Sequence, residues 1–168
     1  MHYFDHSATT PINLEVLELI NKVQKINYAN PSSLHSAGKK AKTIIEESRK
    51  RVAKAINAEP DQIFFTSGGT ESNNHVLWSM LSHHNAHVIT DVIEHPAILK
   101  VLEYLKTFGL NYSLIKVNSK GRIDLKELEE KITKKTCLIS VMLANNEIGT
   151  IQPIREIIDL MISKDILM

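Results

Sequence analysis

The sequence predicts an α/β protein of three layers, in which helices cover both faces of a mainly parallel sheet. Segments with the spacing of amphipathic helices alternate along the chain with short apolar segments. One of the apolar segments, residues 138–144, contains almost only apolar side chains, as do strands that are buried on both faces. The few glycines and prolines fall between the periodic segments, where turns are needed.

The predicted elements follow in order along the chain. A short extended segment at residues 3–4 comes first. The predicted helices begin at residues 11–13, 34, 70, 96, 125 and 153. The predicted strands lie at residues 62–66, 87–92, 111–117 and 136–144. Asp124 is expected to cap one helix, and the last helix is expected to turn four apolar side chains inward. These are Ile154, Ile157, Ile158 and Met161.

The C-terminal residues suggest an incomplete fold. Residues 166–168 are apolar and predict the beginning of a further strand, yet three residues are too few to complete a β-α-β unit. We therefore expect this chain to be the first part of something longer, with a sheet that is incomplete at its C-terminal end.

The composition excludes several classes of protein. The 168 residues are 43% hydrophobic and 23% charged, which is enough apolar material for a core and excludes disorder over most of the chain. A net charge of +1 does not support binding to nucleic acid or to an anionic membrane. Because Cys137 is the only cysteine, an internal disulfide and a cysteine-rich zinc site are excluded. We expect a cytoplasmic protein without a metal site.

Three short motifs carry the candidate chemistry. Residues 67–70 (SGGT) form a glycine turn before a helix, which would present backbone N–H groups and the Thr70 hydroxyl to a phosphate. His95 and the pair Asn145 and Asn146 each follow a predicted strand. Taken singly, each motif also fits an ordinary cap, a surface histidine or a plain loop. Parallel strands would bring all three to one edge of the sheet, where ligands bind in such folds.

In five motifs the sequence resembles the cysteine desulfurases of the NifS type, which belong to the class V aminotransferases and use pyridoxal phosphate. The motifs occur in the order of the family and together extend over essentially the whole chain. They are YFDHSATTP at 3–11, NPSSLHSAG at 30–38, FFTSGGTESNN at 64–74, EHPAIL at 94–99 and NNEIGTIQPI at 145–154. The resemblance implies the large domain of a fold type I transferase, with residues 1–12 as an N-terminal segment and residues 13–168 as the first part of that domain.

The resemblance also implies roles for individual residues. Gly69 and Thr70 match the positions that hold the cofactor phosphate. His95 matches the histidine that stacks on the pyridine ring and assists proton transfer, so it is the expected catalytic residue. Asn146 matches the asparagine near the phenolic oxygen of the ring and the substrate carboxylate. Four further residues would line the approach of the substrate. They are Ala8, Thr9, Asn30 and His35.

Other parts of the family's machinery have no counterpart in these 168 residues. The Asp that pairs with the pyridinium nitrogen, the Schiff-base Lys and the catalytic Cys belong to later motifs of the family. Cys137 begins an apolar strand and is expected to be a structural thiol. The chain alone should therefore not desulfurate cysteine, and a second chain that carries the C-terminal motifs would complete it. The resemblance further implies a homodimer and an iron–sulfur scaffold protein as a partner.

Three alternatives stay open at the level of sequence. A non-catalytic remnant or interaction protein would keep this fold without its chemistry. A relative acting on selenocysteine or kynurenine would share the cofactor but differ in substrate. A generic phosphate-binding α/β domain would share only the glycine turn.

Overall fold

The computed structural model describes residues 2–164 and residue 166. These residues form two compact units, one up to Phe65 and one that begins at Thr66. The division that the sequence predicts after residue 12 stays a prediction about the complete domain. Among the described residues, no helix is both long enough and apolar enough to cross a membrane.

The first unit contains two α-helices, both of which the sequence predicts. Helix α1 spans Leu14–Ile26, and the side chain of Asn13 caps it by accepting a hydrogen bond from the Glu15 N–H at 2.8 Å. Helix α2 spans Ser36–Ala55 and is capped by His35. Gly38 is required near its start, because a Cβ there would lie 2.4 Å from the carbonyl oxygen of Ser33.

The predicted strand at residues 62–66 is wrong. A short 3-10 helix spans Pro60–Gln62, and the chain continues to residue 66 without pairing with any strand in the described part of the protein. Phe64 and Phe65 are exposed, and the guanidinium of Arg49 lies 5.1 Å from the centre of the Phe65 ring. The β-branched and aromatic residues that favoured a strand need a neighbouring strand to bond with, and this segment has none here.

The second unit is built around a parallel sheet of three strands in the order β2-β1-β3. Its strands are β1 (His87–Asp91), β2 (Asn111–Ile115) and β3 (Thr136–Ser140). Its helices are α3 (Gly69–Ser79), α4 (Pro96–Lys106), α5 (Leu125–Lys131) and α6 (Ile154–Ile162). A 3-10 turn at Met80–Ser82 extends α3.

Helices cover both faces of this sheet, as the sequence predicts. Side chains alternate between the faces of a strand, so Val88 points to one side of β1 and Ile89 to the other. Val88 packs in a cluster with residues of α3 and α4, such as Leu77 and Leu102. Ile89 packs in a second cluster with residues of α5 and α6. The three-layer α/β/α architecture is therefore confirmed.

Some details of the second unit differ from the prediction. The predicted strands at 111–117 and 136–144 are shorter in the structure because their last residues turn away from the sheet to form loops. In α6, Ile157 and Met161 are buried as predicted, but Ile158 is 39% exposed because it lies at the margin of the inward-facing stripe. The strand onset predicted at 166–168 lies largely outside the described residues.

Candidate functional site

The first part of the candidate site is the segment that follows β1 and ends at His95. This residue caps α4, because its Nδ1 accepts a hydrogen bond from the backbone N–H of Ala97 at 3.0 Å. Pro96 occupies the first helical position, as the sequence predicts. In a neutral imidazole whose Nδ1 is an acceptor, the proton resides on Nε2. The cap thus fixes the orientation of an exposed ring.

The second part is a hairpin that follows β3. Ala144 and Ile151 form an isolated antiparallel bridge, and the N–H of Asn145 donates to the carbonyl oxygen of Thr150 at 2.9 Å. Gly149 adopts φ +70° at the turn, a conformation that favours glycine. Asn146 is exposed on this hairpin.

Two side chains hold the hairpin against the turn that precedes α5. The hydroxyl of Thr150 donates to the carbonyl oxygen of Lys120 at 2.6 Å. The buried amide of Gln152 donates to the carbonyl oxygen of Gly121 at 2.7 Å and accepts from the N–H of Ile123 at 3.0 Å. The position of the hairpin is therefore set by two buried hydrogen bonds of Gln152 and one exposed hydrogen bond of Thr150.

His95 and Asn146 line the same cleft. Since β1 and β3 are neighbours in a parallel sheet, the segments that follow them lie side by side. Residues 93–96 and 145–148 form the walls of a cleft of about 330 Å³. The structure thus brings together two of the three motifs that the sequence predicts at one edge of the sheet.

Two buried carboxyl groups belong to this part of the chain: Glu94 lines the cleft, and Asp91 is the last residue of β1. Glu94 is buried, and its pKa is raised by desolvation and further by the nearby Asp91. Asp91 is fully buried at the end of β1, and burial raises its pKa as well. Its Oδ1 accepts a hydrogen bond from the N–H of Ile93 at 2.9 Å, whereas its Oδ2 has no partner in the part of the chain that the structure describes.

The glycine turn forms the N-terminus of α3, as predicted, but none of the described residues before it forms a strand. Backbone N–H groups in the first turn of a helix have no intrahelical acceptor and favour an anion. Thr70 is exposed there. A Cβ added to Gly68 or Gly69 would have no described atom within 4 Å, so the space beside the turn is open. Both residues, with Thr70, lie outside the lining of the cleft that holds His95.

Glu71 organises the turn before α3. Both the N–H and the hydroxyl of Ser67 donate to one oxygen of the Glu71 carboxylate at 2.6 Å. These bonds, the hydroxyl first, hold the pKa of Glu71 below its usual value. The carboxylate thereby satisfies the donors of Ser67 and leaves the first N–H groups of α3 to another acceptor.

The four residues predicted to line the substrate approach belong to the first unit. Ala8 and Thr9 lie in a turn, where both N–H groups donate to the carbonyl oxygen of Asp5. The side chain of Asn30 accepts from the N–H of Ser32 at 2.8 Å. His35 caps α2 by accepting from the N–H of Gly38 at 3.2 Å. These bonds explain their local conformations, and their role toward a substrate stays a prediction.

Cys137 has the character of a structural thiol. It is half-buried at the start of β3, at the opposite end of this strand from Asn146. Its Sγ lies 3.6 Å from the sulfur of Met80, and burial raises the pKa of the thiol. A nucleophilic cysteine requires a lowered pKa.

Sequence reasoning missed several residues that shape the site. Glu94 stands in a quoted motif without a role, and Asn145 is a candidate only as one of a pair of amides, with no partner predicted for its side chain. Asp91 was part of a predicted strand, and an acidic residue at the end of an apolar strand was the available signal. Glu71, three residues after the turn glycine Gly68, had the spacing of a helix-capping acid.

Comparison with known proteins identifies relatives over almost the whole chain. Residues 2–168 match the family described as Aminotransferase class-V. The chain is 44% identical over 158 residues to a cysteine desulfurase IscS of Dictyoglomus turgidum, covering 92% of this chain and 40% of the relative. It is 45% identical over 159 residues to the mitochondrial cysteine desulfurase of Saccharomyces cerevisiae, with 92% of this chain and 32% of the relative covered.

Solved structures agree with these relatives. A structure titled as a NifS-like protein superposes with a TM-score of 0.91 at 38% identity, over 97% of this chain and 46% of that one. A structure titled SspA in complex with cysteine superposes with a TM-score of 0.92 at 35% identity, over 99% of this chain and 49% of that one. The chain therefore spans less than half the length of these relatives and structures.

Proposed function

This chain belongs to the class-V aminotransferase family, and we propose that it supplies the cofactor-binding N-terminal part of a NifS-like cysteine desulfurase. That enzyme converts L-cysteine to L-alanine and transfers the sulfur for iron–sulfur cluster assembly. The supporting observation is that His95 and Asn146, from two neighbouring strand ends, line one cleft beside buried carboxyl groups.

The residues present fit pyridoxal phosphate. The N-terminus of α3 offers backbone N–H groups and the exposed Thr70 hydroxyl, with open space beside Gly69 for a phosphate. The cleft offers an imidazole of fixed orientation and an exposed asparagine amide for a flat heterocycle with a phenolic oxygen. When bound, the cofactor supplies an electron sink for an amino-acid substrate.

Each predicted site residue has a definite task in this proposal. Gly69 and Thr70 bind the phosphate at the positive end of α3. His95 would hold the cofactor ring by stacking, and because its Nδ1 accepts from the N–H of Ala97, Nε2 is the ring nitrogen left to exchange a proton with the substrate. Asn146 orients the phenolic oxygen and the substrate carboxylate. Ala8, Thr9, Asn30 and His35 contact the incoming amino acid.

The remaining chemistry requires groups from another segment. A lysine that bonds to the cofactor, an acid for the pyridinium nitrogen and a persulfide-forming cysteine are proposed to come from a complementing C-terminal segment or chain. A second copy and an iron–sulfur scaffold protein are the proposed further partners. The single, half-buried cysteine fits the reducing conditions of the cytoplasm.

The test compares the chain alone with a mixture. The chain is expressed by itself and together with a polypeptide that carries the C-terminal motifs of the family, and sulfide release from L-cysteine is measured with pyridoxal 5'-phosphate present. We expect activity only in the mixture, and we expect His95→Ala to abolish it while His84→Ala, at an exposed position, leaves it unchanged. Sulfide release by the chain alone would refute the proposal, and an inactive mixture would favour a remnant without catalysis.

A further inference from the structure

We infer that Glu94 and Asn145 are positioning residues that fix the separation of His95 and Asn146. This inference rests on the proposed function, because it assigns a task to residues that support its site. We call these two side chains and their contacts between the segments after β1 and β3 the cross-loop bridge.

The bridge consists of one direct hydrogen bond and one polar contact between the two segments. From the hairpin after β3, the amide of Asn145 donates to the carbonyl oxygen of Ile93 at 3.1 Å. From the segment after β1, the buried carboxylate of Glu94 lies near the backbone N–H of Met142, and this interaction lowers the pKa of the carboxyl against the raising effect of burial. Each segment therefore presents a buried polar side chain to the backbone of the other, and Asn145 makes the direct hydrogen bond.

Both side chains also order their own segments. The Oδ1 of Asn145 accepts from the N–H groups of Glu147 and Ile148 at 2.9 and 3.0 Å. The Oε2 of Glu94 accepts from the N–H of His95 at 3.1 Å. One amide and one carboxylate thus connect the local turns with the contact between the segments.

Burial makes the loss of either side chain of the bridge costly. Asn145 is 7% exposed and Glu94 is 8% exposed, so water does not readily replace a lost partner. Each bridge residue directly precedes a predicted site residue: Glu94 precedes His95, and Asn145 precedes Asn146. Because the backbone is fixed at residues 94 and 145, the side chains of His95 and Asn146 have little freedom to move apart. A cofactor ring held between them requires a constant separation.

The first readout needs no ligand and uses Asn118 as the matched control. Asn118 accepts from two backbone N–H groups, those of Lys120 and Arg122, as Asn145 does in its own turn, but it lies outside the cleft. Asn145→Asp keeps the acceptor and loses the donor to Ile93, whereas Asn118→Asp changes a turn only. We expect Asn145→Asp to speed amide hydrogen exchange at Met142 by about tenfold, and Asn118→Asp to leave it unchanged.

The role of Glu94 is tested by comparing its removal with a conservative substitution. Glu94→Ala removes the carboxylate that lies near the N–H of Met142 and is expected to speed the exchange of this N–H by about tenfold as well. Glu94→Gln retains an acceptor oxygen and is expected to restore most of the protection. Equal exchange in all variants, judged at matched fractions of folded protein, would overturn the bridge.

The second readout separates positioning from stability. Inorganic phosphate tests the N-terminus of α3 alone, whereas pyridoxal 5'-phosphate also tests His95 and Asn146. We expect Asn145→Asp to weaken pyridoxal 5'-phosphate binding by about tenfold and phosphate binding by less than about twofold. If the unaltered chain binds no pyridoxal 5'-phosphate while the exchange results hold, the proposed function fails and the bridge remains. If it binds and Asn145→Asp binds equally well, the inference fails and the function remains.

Discussion

The Nδ1 atom of His87 lies 2.8 Å from the Oγ1 atom of Thr136, which joins the buried starts of the neighbouring strands β1 and β3. The other ring nitrogen lies 2.9 Å from the hydroxyl of Ser113 in β2. One imidazole therefore links all three strands at the end of the sheet opposite the cleft. We expect His87→Ala to lower the free energy of unfolding by about 1–3 kcal/mol, measured by urea denaturation, because two hydroxyl groups lose a partner.

The same histidine should make stability fall in mild acid. Desolvation, with Lys131 adding a smaller effect, lowers the pKa of His87 below its usual 6.5. The folded protein thus favours the neutral ring, so the contribution is complete above the unfolded pKa and declines as pH falls through that value toward the folded one. The difference in the free energy of unfolding between the unaltered chain and His87→Asn, measured by urea denaturation, should shrink as the pH is lowered from about 7.5 to about 5, a range that brackets the unfolded pKa of histidine. A difference that is constant with pH would contradict this.

Asp91 should produce the opposite dependence on pH. Its raised pKa means that the folded protein favours the protonated carboxyl, so its contribution is present below the unfolded pKa and is lost as pH rises through the folded one. Asp91→Asn removes this cost of a buried charge. We expect Asp91→Asn to be more stable than the unaltered chain by an amount that grows as the pH rises from about 4 to about 8. The free energy of unfolding of both is measured by urea denaturation. A gain that does not increase with pH would show that the carboxyl carries no such cost.

Replacing Gly121 by alanine should cost more stability than replacing Gly109. Both adopt positive φ, +73° and +94°, where a side chain costs about 1–2 kcal/mol. A Cβ at Gly121 would also lie 2.5 Å from the Cδ1 atom of Ile148, whereas Gly109 has open space among the described atoms. We expect Gly121→Ala to destabilise more than Gly109→Ala in thermal unfolding. Adding Ile148→Ala should recover only part of the excess, because the Cβ would still lie 3.0 Å from the Oγ1 atom of Thr150, and equal effects of the two glycine variants would contradict these contacts.

Gln152 should be essential to the hairpin that carries Asn146. Its buried side chain satisfies the carbonyl of Gly121 and the N–H of Ile123, so Gln152→Ala should cost about 2 kcal/mol in urea denaturation. Gln24→Ala, at an exposed position of α1, should change stability by less than about 0.5 kcal/mol. Similar losses for both would mean that the buried bonds contribute little.

The sequence was most informative where local chemistry decides the structure. The cap at Asp124 and the helix starts near Asn13 and at Pro96 follow from side-chain oxygens and a fixed φ, which depend on a few neighbouring residues. The two faces of the sheet follow from the alternation at Val88 and Ile89. The position of His95 and Asn146 at one cleft follows from parallel neighbouring strands.

The rest depends on partners distant in sequence. Residues 62–66 have strand-forming side chains, but a strand requires a neighbour, which periodicity does not reveal. Glu94 and Asn145 are polar residues after strands, and only the fold shows that both are buried, with Asn145 bonded to the carbonyl oxygen of Ile93 and Glu94 near the N–H of Met142. The contact of Gln152 with Gly121 spans 31 residues and leaves no periodic signal.

The most direct test of the central claim is a titration of the isotope-labelled chain with pyridoxal 5'-phosphate, followed by nuclear magnetic resonance. We expect the backbone signals of Gly69 and Thr70, the ring of His95 and the side-chain amide of Asn146 to shift together with one saturation curve. Shifts confined to the separate cleft near Arg122 and Lys126, or an absence of saturable shifts at His95 and Asn146, would contradict the account.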